Sequence, residues 1–139
     1  MKYDKNVENA SILDRVGVNF LYGYQSTHRI MTVASRDVYQ YCFYNILPDD
    51  SIIMTIFEEE DMPEEDGKVR MRLPVGGIHC IPKKDDPTKC DVEMIVECSL
   101  MGYIPAWVQK QAISDSAFGL VILRDLMKGY VKKMAKAIE

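Results

Sequence analysis

Gly102-Tyr103-Ile104-Pro105-Ala106-Trp107-Val108-Gln109-Lys110-Gln111 opens the final part of the chain, and no further proline follows it. Proline suits the first turn of a helix, where its missing N–H has no partner to lose. The spacing therefore predicts one long helix from Pro105 to about Ala137. Its apolar residues fall on more than one stripe. Ile113, Ala117, Leu120 and Val121 form one flank; Phe118, Ile122, Leu126 and Tyr130 form another; Leu123, Met127, Val131 and Met134 extend the face. A surface helix needs only one stripe, so this one is expected to be covered on two sides.

Outward from the helix, the totals set the class. The chain has 139 residues, is 47% hydrophobic and 27% charged, and carries a net charge of −4. That suits one domain with one core. No apolar run approaches the ~20 residues of a membrane span, and the N-terminus has no apolar segment of the secretory kind. Cys42, Cys80, Cys90 and Cys98 stand at wide, irregular intervals without zinc spacing. They are expected to be reduced thiols in a cytoplasmic protein, with no metal and no cofactor. The acidic balance and the lack of a basic stripe interleaved with aromatics argue against nucleic acid.

Before the helix the chain reads as strands. Residues 1–9 are polar and expected to be a short helical or irregular lead-in. Ser11–Val16 and Phe20–Ser26, separated by Gly17-Val18-Asn19, predict a hairpin. His28–Ser35 is a connection more apolar than a loop requires. Arg36–Leu47, rich in tyrosine, is a third strand ending at Pro48-Asp49-Asp50. Ser51–Phe57 is a fourth, closed by an acidic loop, Glu58–Asp66, read as solvated. Lys68–Leu73 alternates charge with hydrophobe, as a strand with one wet face does. Pro74-Val75-Gly76-Gly77 interrupts it and Ile78–Ile81 resumes it, so a bulge or bend is expected, with an end at Pro82. After a polar turn, Lys83–Lys89, the residues Cys90–Leu100 alternate again. The fold class is α+β: an antiparallel meander of about six strands packed on the long C-terminal helix.

Several stretches together resemble the C-terminal part of a START domain, the steroidogenic acute regulatory protein-related lipid-transfer family. They are Ser35-Arg36-Asp37-Val38, the loop from Met62-Pro63 to Arg70, Gly76-Gly77-Ile78 before Pro82, and Gly102–Val108 leading into the helix. Their order and spacing agree from about Tyr3 to Ala135. The resemblance implies a helix-grip fold, in which a curved sheet wraps the last helix around a lipid-sized cavity. It also implies an activity without chemistry: binding one lipid, of the sterol, phospholipid or ceramide class, and carrying it between membranes. START domains begin with a helix and strands to which this sequence has no counterpart, and those strands pair with the last strand of the sheet. Cys90–Leu100 is then expected to be an edge, which implies either a homo-oligomer with that strand at or near the interface or a fragment whose partner segment is missing.

Within that resemblance, the expected lipid-binding residues are Gln25, Gln40, Cys42, Met54, Met94, Val96, Phe118, Ile122 and Leu126. Sterol-handling members carry a charged pair at the positions matched here by Gln25 and Cys42, so a neutral, weakly polar head group is expected. His28–Ser35 resembles the family's gate, with Ile30, Met31 and Val33 placed either to touch a membrane surface or to pack on the helix. Methionine fills irregular apolar space, although ordinary core packing explains any one of these methionines equally well. His28 and His79 lack partners in the sequence and are given no role. Ser114, Asp115 and Ser116 have no base nearby and read as the helix's polar face. Lys128, Lys132, Lys133 and Lys136 favour the helix C-terminus through the macrodipole. The alternatives to lipid transfer are a protein-interaction module that assembles through its edge strand and, last, an enzyme, for which no acid or base pair stands out.

Overall fold

The computed structural model describes residues 5–138; for residue 87 and residues 130–138 it describes the backbone alone. The expectations placed on residues 1–4, and on the side chains of Tyr130, Val131, Lys132, Lys133, Met134 and Lys136, lie outside the described residues. The described chain divides into two compact units, residues 6–102 and residues 103–138 with Lys5.

The first unit is a sheet. Its strands are β1 (Val7–Val16), β2 (Phe20–Thr27), β3 (Ser35–Ile46), β4 (Ile52–Glu58), β5 (Lys68–Arg70), β6 (Arg72–Lys83) and β7 (Asp86–Ser99). Their order is β1-β2-β3-β4-β6-β7, and every pair on this path is antiparallel. The meander is as expected, with seven strands in place of six. The extra one, β5, runs parallel beside the start of β3, pairing Ser35, Arg36 and Asp37 with Lys68, Val69 and Arg70. It is separated from β6 by Met71, whose side chain turns into the core. A single alternating run thus serves two partners.

Three other expectations are corrected. Val7–Asn9 is strand and not an irregular lead-in; a register shift between Val7 and Asn9 breaks the alternation that would have revealed it. The bulge expected at Pro74 is present, between Arg72 and Val75, but the strand, residues 72–83, runs through Pro82 instead of stopping there. The turn expected over Lys83–Lys89 shrinks to residues 84 and 85, and β7 begins at Asp86.

The buried core is small. Val38, Met71 and Leu73 meet where β3 faces the β5–β6 junction, with Ile56 and Leu100 against them. Beside it, Asp37 is fully buried and receives the Arg70 guanidinium in a fork, Nε to Oδ1 at 3.0 Å and Nη2 to Oδ2 at 3.0 Å. Arg70 also donates to the carbonyls of Met62 and Pro63. The acidic loop is therefore anchored at its centre, not merely solvated.

The second unit is one helix, α1 (Ala106–Ile138). The Pro105 carbonyl accepts from the N–H groups of Val108 and Gln109, and the Gln109 side chain donates to the Ile104 carbonyl. The helix thus starts one residue after Pro105. Cover on both apolar flanks is only partial: Ile122, Leu123 and Leu126 are half-buried, whereas Ile113 and Phe118 are 72% and 61% exposed.

Candidate functional site

One face of the sheet carries a concavity of about 320 Å³, and the strand register explains its floor. Leu21 lies opposite Cys42, Cys42 opposite Ile56, Ile56 opposite Gly76, and Gly76 opposite Val96. Side chains alternate between faces along a strand, so this row shares one face. Tyr44, Met54, Ile78 and Met94 form the next row on it. Gln25 lies opposite Val38, and Gln40 opposite Gly23, which sets the two amides diagonally on neighbouring strands of the same face.

Of the residues expected from sequence, Gln25, Gln40, Cys42 and Met54 line the concavity. Met94 and Val96 share its face, on β7, and lie outside its lining. Phe118, Ile122 and Leu126 recur every fourth residue along α1, in the other unit. Sequence reasoning missed Ala10 and Ile12 of β1, together with Leu21, Gly23 and Ile56. The alternation Leu21, Gly23, Gln25 was the available signal on β2.

Two glycines keep the floor low. At Gly23 a Cβ would stand 2.9 Å from the Ser11 carbonyl oxygen, closer than side chains tolerate, so glycine lets the β1 backbone approach. At Gly76 a Cβ would meet Ile56 Cβ at 3.5 Å, an ordinary contact; its absence opens space. None of the lining residues is charged. Burial pushes the Cys42 thiol above its ordinary pKa, so it presents a neutral S–H. The carboxylate opposite Gln40, that of Glu58, is committed elsewhere: it accepts from Arg72 Nε at 2.7 Å and from the Leu73 N–H at 2.7 Å. The side-chain amides of Gln25 and Gln40 have no hydrogen-bond partner among the described residues.

The expected gate loop is a tight turn. Ile30 and Val33 exchange both backbone hydrogen bonds, at 3.1 and 2.8 Å, and lift Met31 to the tip with φ 53° and 77% exposure. A left-handed backbone is uncommon for a side-chain-bearing residue. Ile30 is exposed and Val33 half-buried. Arg36, 5% exposed, holds the loop's base: its guanidinium donates to the carbonyls of Ala34, Leu100 and Met101. Met101 and Gly102 follow with φ 52° and 68°. One side chain therefore ties the gate loop to the turn from which the chain leaves the sheet.

The opposite face is aromatic. Phe20, Tyr22 and Tyr24 lie across from Phe43, Tyr41 and Tyr39, with ring centroids 4.8 Å apart for Tyr22–Tyr41 and Tyr24–Tyr39. Phe57 continues the ladder at 5.4 Å from Tyr41. Hydrogen bonds to Glu65 and Glu59 push the Tyr39 and Tyr41 phenols up to about 12. Further along this face, His79 Nε2 lies 3.1 Å from Ser51 Oγ and His79 Nδ1 4.0 Å from Glu93 Oε2. The set has the composition of a hydrolytic triad, but Ser51 is fully buried and its hydroxyl donates to Asp49 Oδ1 at 2.7 Å. Its oxygen is not offered to a substrate, and the group fastens the β3–β4 turn to β6. Among the described residues no cluster of three metal-ligating side chains occurs, and no helix is long and apolar enough to cross a membrane.

Comparison with known proteins places this geometry. Human StAR-related lipid transfer protein 5 superposes with a TM-score of 0.78 at 22% identity, over 93% of this chain and 64% of that one. A STAR-related lipid transfer protein fragment from Xanthomonas axonopodis gives 0.72 at 24% identity, over 91% and 70%. The human StarD13 lipid transfer and protein localization domain gives 0.72 at 16% identity, over 88% and 62%. At these identities the likeness is one of fold: an antiparallel sheet followed by a long C-terminal helix. The chain spans a little under two thirds of the human lipid transfer protein 5 structure. No curated protein matches it. The START domain model, however, matches residues 1–131, nearly the whole sequence, and the chain belongs to the START domain family.

Proposed function

We propose that the chain binds one lipid in the concavity with uncharged lining on one face of its sheet and carries it between membranes, without chemistry. The observation that carries this reading is the concavity floored by Cys42, Met54 and Ile56, apolar and free of charged lining. Each lipid methylene moved there from water contributes about 0.8 kcal/mol, so a modest apolar floor suffices to hold an acyl chain or ring system. In this reading Phe118, Ile122 and Leu126 of α1 are further lipid-binding residues, and Met94 and Val96 extend the floor. Ile30 and Met31, exposed at the tip of a strained turn, enter the membrane surface during exchange, and Val33 anchors them. The ligand falls within the sterol, phospholipid or ceramide class. The protein works in the cytoplasm, peripheral to membranes.

The test is native mass spectrometry of the purified chain after incubation with mixed liposomes, with the released ligand identified. A retained lipid that disappears in Ile122→Trp supports the reading, and equal uptake by both proteins removes α1 from the site. A second reading, assembly through an edge strand, is favoured by the place of β7 at the end of the strand order. An unliganded oligomer in the same experiment turns the choice to it.

A further inference from the structure

We infer that the lipid taken up here has an uncharged head group that both donates and accepts hydrogen bonds, a hydroxyl or an amide, and that Gln25 and Gln40 read it. This rests on the lipid-binding reading above and narrows it. Gln25 and Gln40 stand diagonally on adjacent strands, both line the concavity, and neither side-chain amide is spent on another described residue. A primary amide offers two N–H donors and a carbonyl acceptor, so the pair presents both polarities to one bound group. An apolar ligand would leave these donors and acceptors desolvated and unpaired, which costs more than the bonds return when made.

A phosphate is a poor fit for the same place. Buried anions need a cation or several donors at close range, and the lining supplies no arginine, lysine or histidine. The cluster bordering the amides commits the Arg72 guanidinium to two carboxylates, Glu58 at 2.7 Å and Glu60 at 2.6 Å, and so offers no cation to a phosphate. Arg36 and Arg15 also share this face by register, and both are outside the lining: Arg36, two residues before Val38 on β3, is buried with its guanidinium spent on the carbonyls of Ala34, Leu100 and Met101, and Arg15, opposite Leu21 on β1, is exposed.

The test loads the full chain from phosphatidylcholine vesicles doped in turn with dioleoylglycerol, cholesterol or phosphatidylserine, and reads the retained lipid by native mass spectrometry. A neutral lipid is expected to be retained in preference to phosphatidylserine and phosphatidylcholine. Replacing both amides, Gln25→Leu with Gln40→Leu, is expected to lower its occupancy about fivefold for each hydrogen-bonding amide lost. Circular dichroism checks that this variant folds, and Arg15→Gln, at an exposed site, gives an independent readout. Phosphatidylserine retained as well as the neutral lipids, and lost in Arg15→Gln, overturns the inference and leaves lipid binding standing. Neutral-lipid uptake unchanged by removal of both amides also overturns it. No lipid retained from any vesicle sinks the lipid-binding reading itself, and this inference with it.

Discussion

Asp37 is the side chain on which the start of β3 depends. Its carboxylate is 1% exposed and forked by Arg70, itself 15% exposed. Arg70→Ala strands a negative charge in the core and is expected to cost about 3–5 kcal/mol, a large part of the ~5–15 kcal/mol that holds a domain together. Lys83→Ala, which breaks the exposed pair with Asp91, is expected to cost less than about 1 kcal/mol. Urea denaturation of the two variants measures the contrast, and equal losses would show that Asp37 finds another partner. The aromatic face supplies a pH signature. Tyr39 and Tyr41 are pushed up to about 12 because Glu65 and Glu59 accept hydrogen bonds from their phenolic O–H groups. A phenol whose folded pKa is raised contributes stability that is fully present below its unfolded value of 10.0 and is lost as pH rises through about 12. Ultraviolet titration of tyrosinate is expected to show Tyr39 and Tyr41 as late phenols, with Tyr22 also raised by burial, and Glu59→Gln to return Tyr41 toward the ordinary value. If both titrate early in the folded protein, the two carboxylates do not hold them.

At the level of elements, two glycines on one sheet face make opposite predictions. Gly23→Ala drives a methyl to within 2.9 Å of the Ser11 carbonyl oxygen. Backbone cannot step aside as a side-chain end does, so β1 must shift, at a cost of about 1–3 kcal/mol. Gly76→Ala meets only Ile56 and Val96 at ordinary distances, and is expected to leave stability within about 0.5 kcal/mol. Thermal melts separate the two, and a neutral Gly23→Ala would mean that β1 is free to move. These sites also show what the sequence could reveal. The β1–β2 hairpin was legible because Gly17-Val18-Asn19 is turn chemistry between alternating runs, and α1 because Pro105 opens it. Lys68–Arg70 was legible as strand, but its separation from β6 and its parallel pairing with β3 were not, since three residues have no period of their own and Met71 hides the break. Gln25, Gln40, Cys42 and Met54 were reached through family resemblance. Ala10 and Ile12 were not, because register shifts at Val7/Asn9 and Ile12/Asp14 scramble the period of β1.

For the molecule as a whole, the open question of assembly rests on β7. It has 14 residues, ends the strand order, and exposes Val92, Ile95 and Val96 between the charges of Asp91, Glu93 and Glu97. A long edge with unpaired N–H and C=O groups is a template for another strand, while the interspersed acids oppose a neighbour carrying the same acids. A self-complementary antiparallel joint is therefore expected to be weak and dependent on concentration and salt. Ile95 is the residue that tests it. It lies opposite Gly77, on the face away from Val96 and the concavity, and is 74% exposed. Ile95→Lys replaces an apolar contact with a like charge from each copy, and is expected to weaken association at least about fivefold. Sedimentation velocity over a concentration series reads this directly. Lipid uptake by the same variant is expected to stay at the wild-type level, because the substitution lies on the other face and leaves the concavity as it was. If Ile95→Lys abolishes uptake and association together, binding and assembly are one process, and the lipid site then needs two copies of the chain. A chain that is monomeric at every concentration, with slow amide exchange along β7, would show instead that this edge needs no partner.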